Sequence, residues 1–144
     1  MQPTRSLAAR LCLAIALAQG LAGCSVYMAA NQPDKKDVGV LRVGTPRSAI
    51  LAELGTPIET SVRNGARVDI FTFTQGYSSA EKGARAVLHG AADVLTLGLW
   101  EVAGTPIEGY ASGTKVSVEI TYDREERVVK VAPLRGQEVL AEAQ

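Results

Sequence analysis

Residues 115–122 read Lys-Val-Ser-Val-Glu-Ile-Thr-Tyr. Apolar and polar side chains alternate there without a slip, which is the period of a strand with one buried face. Val116, Val118, Ile120 and Tyr122 are assigned inward, and Lys115, Ser117, Glu119 and Thr121 outward. Asp123-Arg124-Glu125-Glu126 then turns the chain, and Val128–Ala132 pairs back until Pro133 ends the strand. A one-sided hairpin implies an antiparallel sheet with something covering its apolar face. A second hairpin lies upstream, where Ile58–Arg63 and Arg67–Thr74 flank Asn64-Gly65, the strongest short turn signal. In its returning strand Val68 and Ile70 take one face and Phe71 and Phe73 the other. That pattern needs either cover on both faces or a bulge.

The cover is helical. Gly44-Thr45-Pro46 reads as loop, cap and first helical residue, and Ile50, Leu51 and Leu54 follow at helical spacing before Gly55 and Pro57 stop the helix. Residues 80–103 form a longer amphipathic helix with a break expected near Gly98. Leu88, Leu95 and Leu99 on its apolar side are expected to cover the sheet, in preference to lodging in lipid. The opposite stripe is expected to be solvated, and Lys82, Arg85, His89, Asp93 and Trp100 on it make the candidate face for a protein partner. Arg85, His89 and Asp93 sit four apart, the spacing of a proton relay, but no nucleophile pairs with them and surface ion pairs explain them. Gly-Thr-Pro-Ile-Glu at residues 55–59 recurs at 104–108, which adds a strand at 106–111 as an expectation. The expected fold class is therefore α+β, an antiparallel sheet of four to five strands with helices packed on one face.

Composition narrows the chemistry. The 144 residues carry 15 basic and 15 acidic side chains, so the formal charge is zero. A neutral chain without charge blocks excludes a basic nucleic-acid binder. One histidine and two cysteines exclude thiolate zinc sites and most acid–base triads. No catalytic residue, metal or cofactor is expected, and the chain reads as no enzyme.

The amino terminus reads as an address. Arg5 and Arg10 precede an apolar run from Leu11 to Leu17, the layout of a secretory signal and too short to span a bilayer. Leu21-Ala22-Gly23-Cys24 then resembles the lipobox of bacterial lipoproteins. That resemblance implies cleavage before Cys24, a diacylglycerol on its thiol and an acylated amino terminus, a palmitate-bearing membrane anchor. Ser25 stands where aspartate would signal inner-membrane retention, so the outer membrane, on its periplasmic face, is the expected location. Losing Arg5 and Arg10 leaves 13 basic against 15 acidic residues, and Cys24 is the only cysteine retained. The expected organisation is a signal peptide at 1–23, the lipidated cysteine and a tether at 24–38, one α+β domain at 39–135 and a flexible tail at 136–144.

Two further stretches carry a family resemblance. VGTPRSAILAELGTP, followed by a hairpin ending in an aromatic strand, and KVSVEITYDREERVVKV together resemble the SmpA/OmlA family of small outer-membrane lipoproteins. The likeness covers residues 40–76 and 114–132 and leaves 77–113 as an insertion. It implies helices on a three-stranded antiparallel sheet, the fold of β-lactamase inhibitory protein, and a structural or assembly accessory that docks on an envelope protein. Fold analogy also implies the alternative of an inhibitor or small-ligand binding module.

Overall fold

The computed structural model describes residues 23–141; the expected signal peptide, up to residue 22, and the last three residues lie outside them. In chain order the elements are α1 (Cys24–Ala30), a 3-10 turn (Val38–Val40), α2 (Arg47–Leu54), β1 (Glu59–Arg63), β2 (Ala66–Gln75), α3 (Ser79–Thr96), α4 (Glu101–Tyr110), β3 (Thr114–Tyr122), β4 (Val128–Arg135) and α5 (Gln137–Ala141). They fall into two compact units. One holds α1, α3 and α4, and the other holds the remaining elements.

The sheet unit is α+β, as the alternating strands require. Its four strands lie in the order β1-β2-β3-β4, every neighbouring pair antiparallel. Strand β1 is joined to β2 through Asn64 and Gly65, both at positive φ as a two-residue hairpin turn demands. The phase of β2 resolves without a bulge. Its register against β3 is unbroken, pairing Phe71 with Val118 and Phe73 with Val116, so Asp69, Phe71 and Phe73 share the core face. Val116, Val118, Ile120 and Tyr122 are all buried, as the alternation predicts. The bulges fall between β3 and β4 instead, where edge position lets Pro133 sit inside the strand.

Helices α2 and α5 supply the cover for that face. Ile50 and Leu140 join Phe71, Phe73, Val116, Val118, Ile120, Tyr122 and Val128 in one core cluster. Asp69 is buried in that layer and is paid for locally, accepting hydrogen bonds from Arg47 Nε and Thr60 Oγ1 at 2.7 Å each. Thr45 does not cap α2: Pro46 takes the cap position, and the Thr45 carbonyl accepts from the Val128 amide at 2.9 Å.

Three expectations are corrected here. The tether at 24–38 is ordered: α1 fills its first half, and Tyr77 N–H donates to the Pro33 carbonyl while Lys35 N–H donates to that of Tyr77. The tail is not loose up to residue 141, since α5 buries Leu140 in the core. Residues 106–111 are no strand, because α4 runs through Pro106 to Tyr110.

Candidate functional site

The helical unit begins with a strong stop-start grammar. Ser78 caps α3 in a reciprocal box with Glu81, its hydroxyl accepting from the Glu81 amide while the Glu81 carboxylate accepts from the Ser78 amide. The expected break near Gly98 is present: Leu97 and Gly98 both adopt positive φ, and the Gly98 amide donates to the Asp93 carbonyl at 2.8 Å. Helix α4 then returns, and α1 packs against both α3 and α4. Small residues permit that approach. Ser25 and Ala29, four apart on α1, are fully buried, and Gly104 opposite has no room for a Cβ, which would stand 2.8 Å from Trp100 Nε1 and 3.0 Å from Ser25 Cβ.

The faces of α3 and α4 are the reverse of those expected. His89 is 4% exposed, Asp93 7% and Glu108 1%, whereas Leu95 is 84% exposed, Leu97 85% and Val102 81%. Leu88, Leu95 and Leu99 are therefore exposed, and His89 and Asp93 of the proposed partner face are turned inward. Of its members, Arg85, His89 and Trp100 are brought together; Lys82 lies toward the start of α3, where its Nζ donates to the Gln32 carbonyl at 3.1 Å.

Two carboxylates, Glu108 buried and Glu101 half-buried, organise the interior. Glu108 Oε1 accepts from Arg85 Nη2 and from His89 Nε2, each at 2.8 Å, and its Oε2 accepts from Gln32 Nε2 at 2.9 Å. Trp100 Nε1–H donates to His89 Nδ1 at 2.8 Å. An indole nitrogen only donates, so Nδ1 is the acceptor and Nε2 carries the proton given to Glu108. Both nitrogens of His89 are thereby committed, and neither is committed to Asp93, so the relay pattern is not formed. Burial pushes the Glu108 carboxyl up, but the hydrogen bonds from Arg85, His89 and Gln32 outweigh it and hold it below the usual range.

Glu101 holds the start of α1. Its carboxylate accepts from the Gly23 amide at 2.9 Å, from the Ser25 amide at 3.1 Å and from the Ser25 hydroxyl at 3.0 Å, and also from Thr105. Burial works against its charge, yet these donors bring the carboxyl down to about 2. The bonds flank Cys24 on both sides and leave its side chain exposed. Asp93 is the exception in this interior: neither carboxyl oxygen meets a donor, and burial followed by the charge of Glu101 pushes its pKa up.

Glu101, Glu108, Ser25 and Gln32 were not singled out from sequence. Their signal was Glu101, Thr105 and Glu108 at helical spacing, a second narrow polar stripe facing that of Arg85, His89 and Asp93. Comparison with protein-family models, with curated proteins and with solved structures returns no match for this chain.

Proposed function

We propose that this protein is a lipid-anchored envelope lipoprotein, fixed through acyl groups on Cys24, and that it acts as a non-enzymatic structural or assembly accessory docking on an envelope partner. One observation carries the reading: the lipobox cysteine is also the first residue of a helix packed into the fold. Glu101 grips the residues on either side of it, and the thiol faces outward. Cleavage before Cys24 removes the Gly23 bond and leaves those from Ser25 and Thr105, so the anchored residue stays seated. A triacylated cysteine exceeds the single chain that gives only marginal binding. The SmpA/OmlA likeness supports an outer-membrane, periplasm-facing place and an assembly role. With His89 and Asp93 of the Lys82–Trp100 stripe turned inward, that stripe is not the surface offered to a protein partner.

Palmitate labelling in cells tests the anchor. The parent is expected to incorporate label and to migrate as the shorter mature form. Cys24→Ser is expected to lose the label entirely and to accumulate as precursor; a variant processed and located like the parent would refute the reading.

A further inference from the structure

Every charged side chain between residues 83 and 110, namely Arg85, Asp93, Glu101 and Glu108, lies on the inward side of the helical unit. The outward positions of the same stretch carry none. On α3 they are Gly83, Ala84, Val87, Leu88, Ala91, Val94 and Leu95. On α4 they are Val102, Ala103, Pro106, Ile107, Gly109 and Tyr110, and the turn between the helices adds Leu97 and Leu99. A helix at a water interface shows the opposite arrangement. Soluble surfaces seldom expose contiguous apolar patches beyond a few hundred Å², and here two helices and their connection expose nothing else over most of their length.

The direction of the helices identifies the occupant. Ser25 meets Glu101 at the start of α4, and Gln32 meets Glu108 near its end, so α1 runs alongside α4 in the same sense. Lys82, near the start of α3, meets Gln32, so α3 runs the other way. Cys24 therefore sits at the same end of the unit as Leu97, Gly98 and Leu99, while the polar residues Ser78, Glu81, Lys82 and Gln32 gather at the opposite end. We infer that the outward face of the α3–α4 hairpin, led by its Leu97–Leu99 tip, lies in the lipid leaflet that takes the acyl chains of Cys24.

This inference rests on the lipoprotein reading, and the geometry adds to it. Because α1 starts at Cys24 itself, acylation leaves the helical unit no slack with which to stand away from the bilayer. The apolar part of α3, Gly83–Thr96, is about 21 Å long at 1.5 Å per residue, short of a hydrocarbon core of about 30 Å. No helix among the described residues is long and apolar enough to cross a membrane. The hairpin thus enters one leaflet without crossing. Three of its four inward charges satisfy the condition that groups withdrawn from water be paired, Arg85 on Glu108 and Glu101 on backbone and hydroxyl donors; the fourth, Asp93, meets no donor, and its burial favours the neutral form. Tyr27 and Tyr110, both exposed, are of the residue type that settles at headgroup level.

The mature chain retains only the acylated cysteine, so an introduced thiol is unique. Leu95→Cys, Leu99→Cys and, on the sheet unit, Thr72→Cys would each be labelled with an environment-sensitive fluorophore in the purified lipoprotein. Each would then be reconstituted into phosphatidylethanolamine–phosphatidylglycerol vesicles. Probes at 95 and 99 are expected to be quenched several-fold more strongly by nitroxides on lipid acyl chains than the probe at 72, and to be shielded from aqueous iodide. Iodide quenching at 95 and 99 equal to that at 72 would overturn the inference. Shielding from both quenchers would also overturn it, by showing that a second copy or a partner protein covers the face. The intact mass of the same preparation separates the two readings. An unacylated protein whose 95 probe still meets lipid loses the anchor and keeps the hairpin, whereas an acylated one with that probe in water loses the hairpin alone.

Discussion

Glu108→Ala is expected to unfold the helical unit preferentially, at a cost of about 3 kcal/mol. Removal of one partner from a buried ion pair leaves the other charge without compensation and costs about 3–5 kcal/mol where water is excluded. The Arg85 side chain keeps 24% of its exposure, which places the loss at the lower end of that range. His89 Nε2 loses its acceptor in the same step, whereas Gln32 Nε2 keeps the Glu108 main-chain carbonyl at 2.9 Å. Glu108→Gln retains a carbonyl for one of these donors and should cost roughly 1 kcal/mol. Amide hydrogen exchange of the detergent-solubilised protein distinguishes the cases by segment. Amides across residues 79–110 should lose protection in Glu108→Ala while those of β2 and β3 keep theirs. Parental protection across 79–110 would mean that this carboxylate does not organise the interior.

The second large effect is a pH dependence with two opposing parts. Glu101 falls from an ordinary value of 4.5 to about 2, and Glu108 is lowered as well. A carboxyl with a depressed native pKa binds fewer protons folded than unfolded, so its contribution is present above the ordinary range and is lost as pH falls toward the native value. The helical unit should therefore loosen between about pH 4.5 and pH 2. Asp93 has the opposite sign. Its native pKa is raised above 3.8 by burial and by Glu101, so folding favours its protonated form and its ionisation costs stability as pH rises. Asp93→Asn supplies a neutral donor beside Glu101 and removes a buried carboxylate that meets no donor. It is expected to stabilise the unit at pH 7 by about 1–2 kcal/mol, with the gain shrinking under acid conditions where Asp93 is already protonated. Denaturation followed at Trp100 across that pH range reads both parts. A destabilised Asp93→Asn at pH 7 would show that the charge of Asp93 is needed.

The sheet was legible because its chemistry is local. Alternation in 115–122 fixed which side chains of β3 are buried, and Asn64-Gly65 fixed the hairpin ahead of it. Thr45 misled because its backbone, pairing with Val128, decides its role more than its hydroxyl does. The repeated Gly-Thr-Pro-Ile-Glu misled for a similar reason. At 55–59 it ends a helix, whereas at 104–108 Thr105 bonds back to Glu101, the close approach of α1 demands Gly104, and Pro106 is carried inside α4. The pattern of residues 24–30 is one of size rather than of hydropathy, Ser25 and Ala29 being fully buried and Ser25 lying against Gly104.

The faces of α3 and α4 lie opposite to the expectation for a more general reason. Amphipathicity locates a buried face only if the surrounding solvent is water; where apolar side chains face outward, the same period places charges inside. Periodicity marks α3, the break near Gly98 and the two stripes of α3, but not α4, most of which lies where a strand is expected. Which stripe is inward is decided by the pairing of Arg85 and His89 with Glu108, residues separated by a turn and a second helix.

A nitroxide scan along residues 83–110 of the reconstituted lipoprotein measures that phase directly. Oxygen collision rates should peak at positions 84, 87, 88, 91, 94, 95, 102 and 110, and fall to minima at 85, 89, 93, 101, 104 and 108. Maxima at 85, 89 and 93 with minima at 88 and 95 would describe an ordinary helix with its charges facing out, and would contradict the inverted arrangement on which the membrane-seated reading depends.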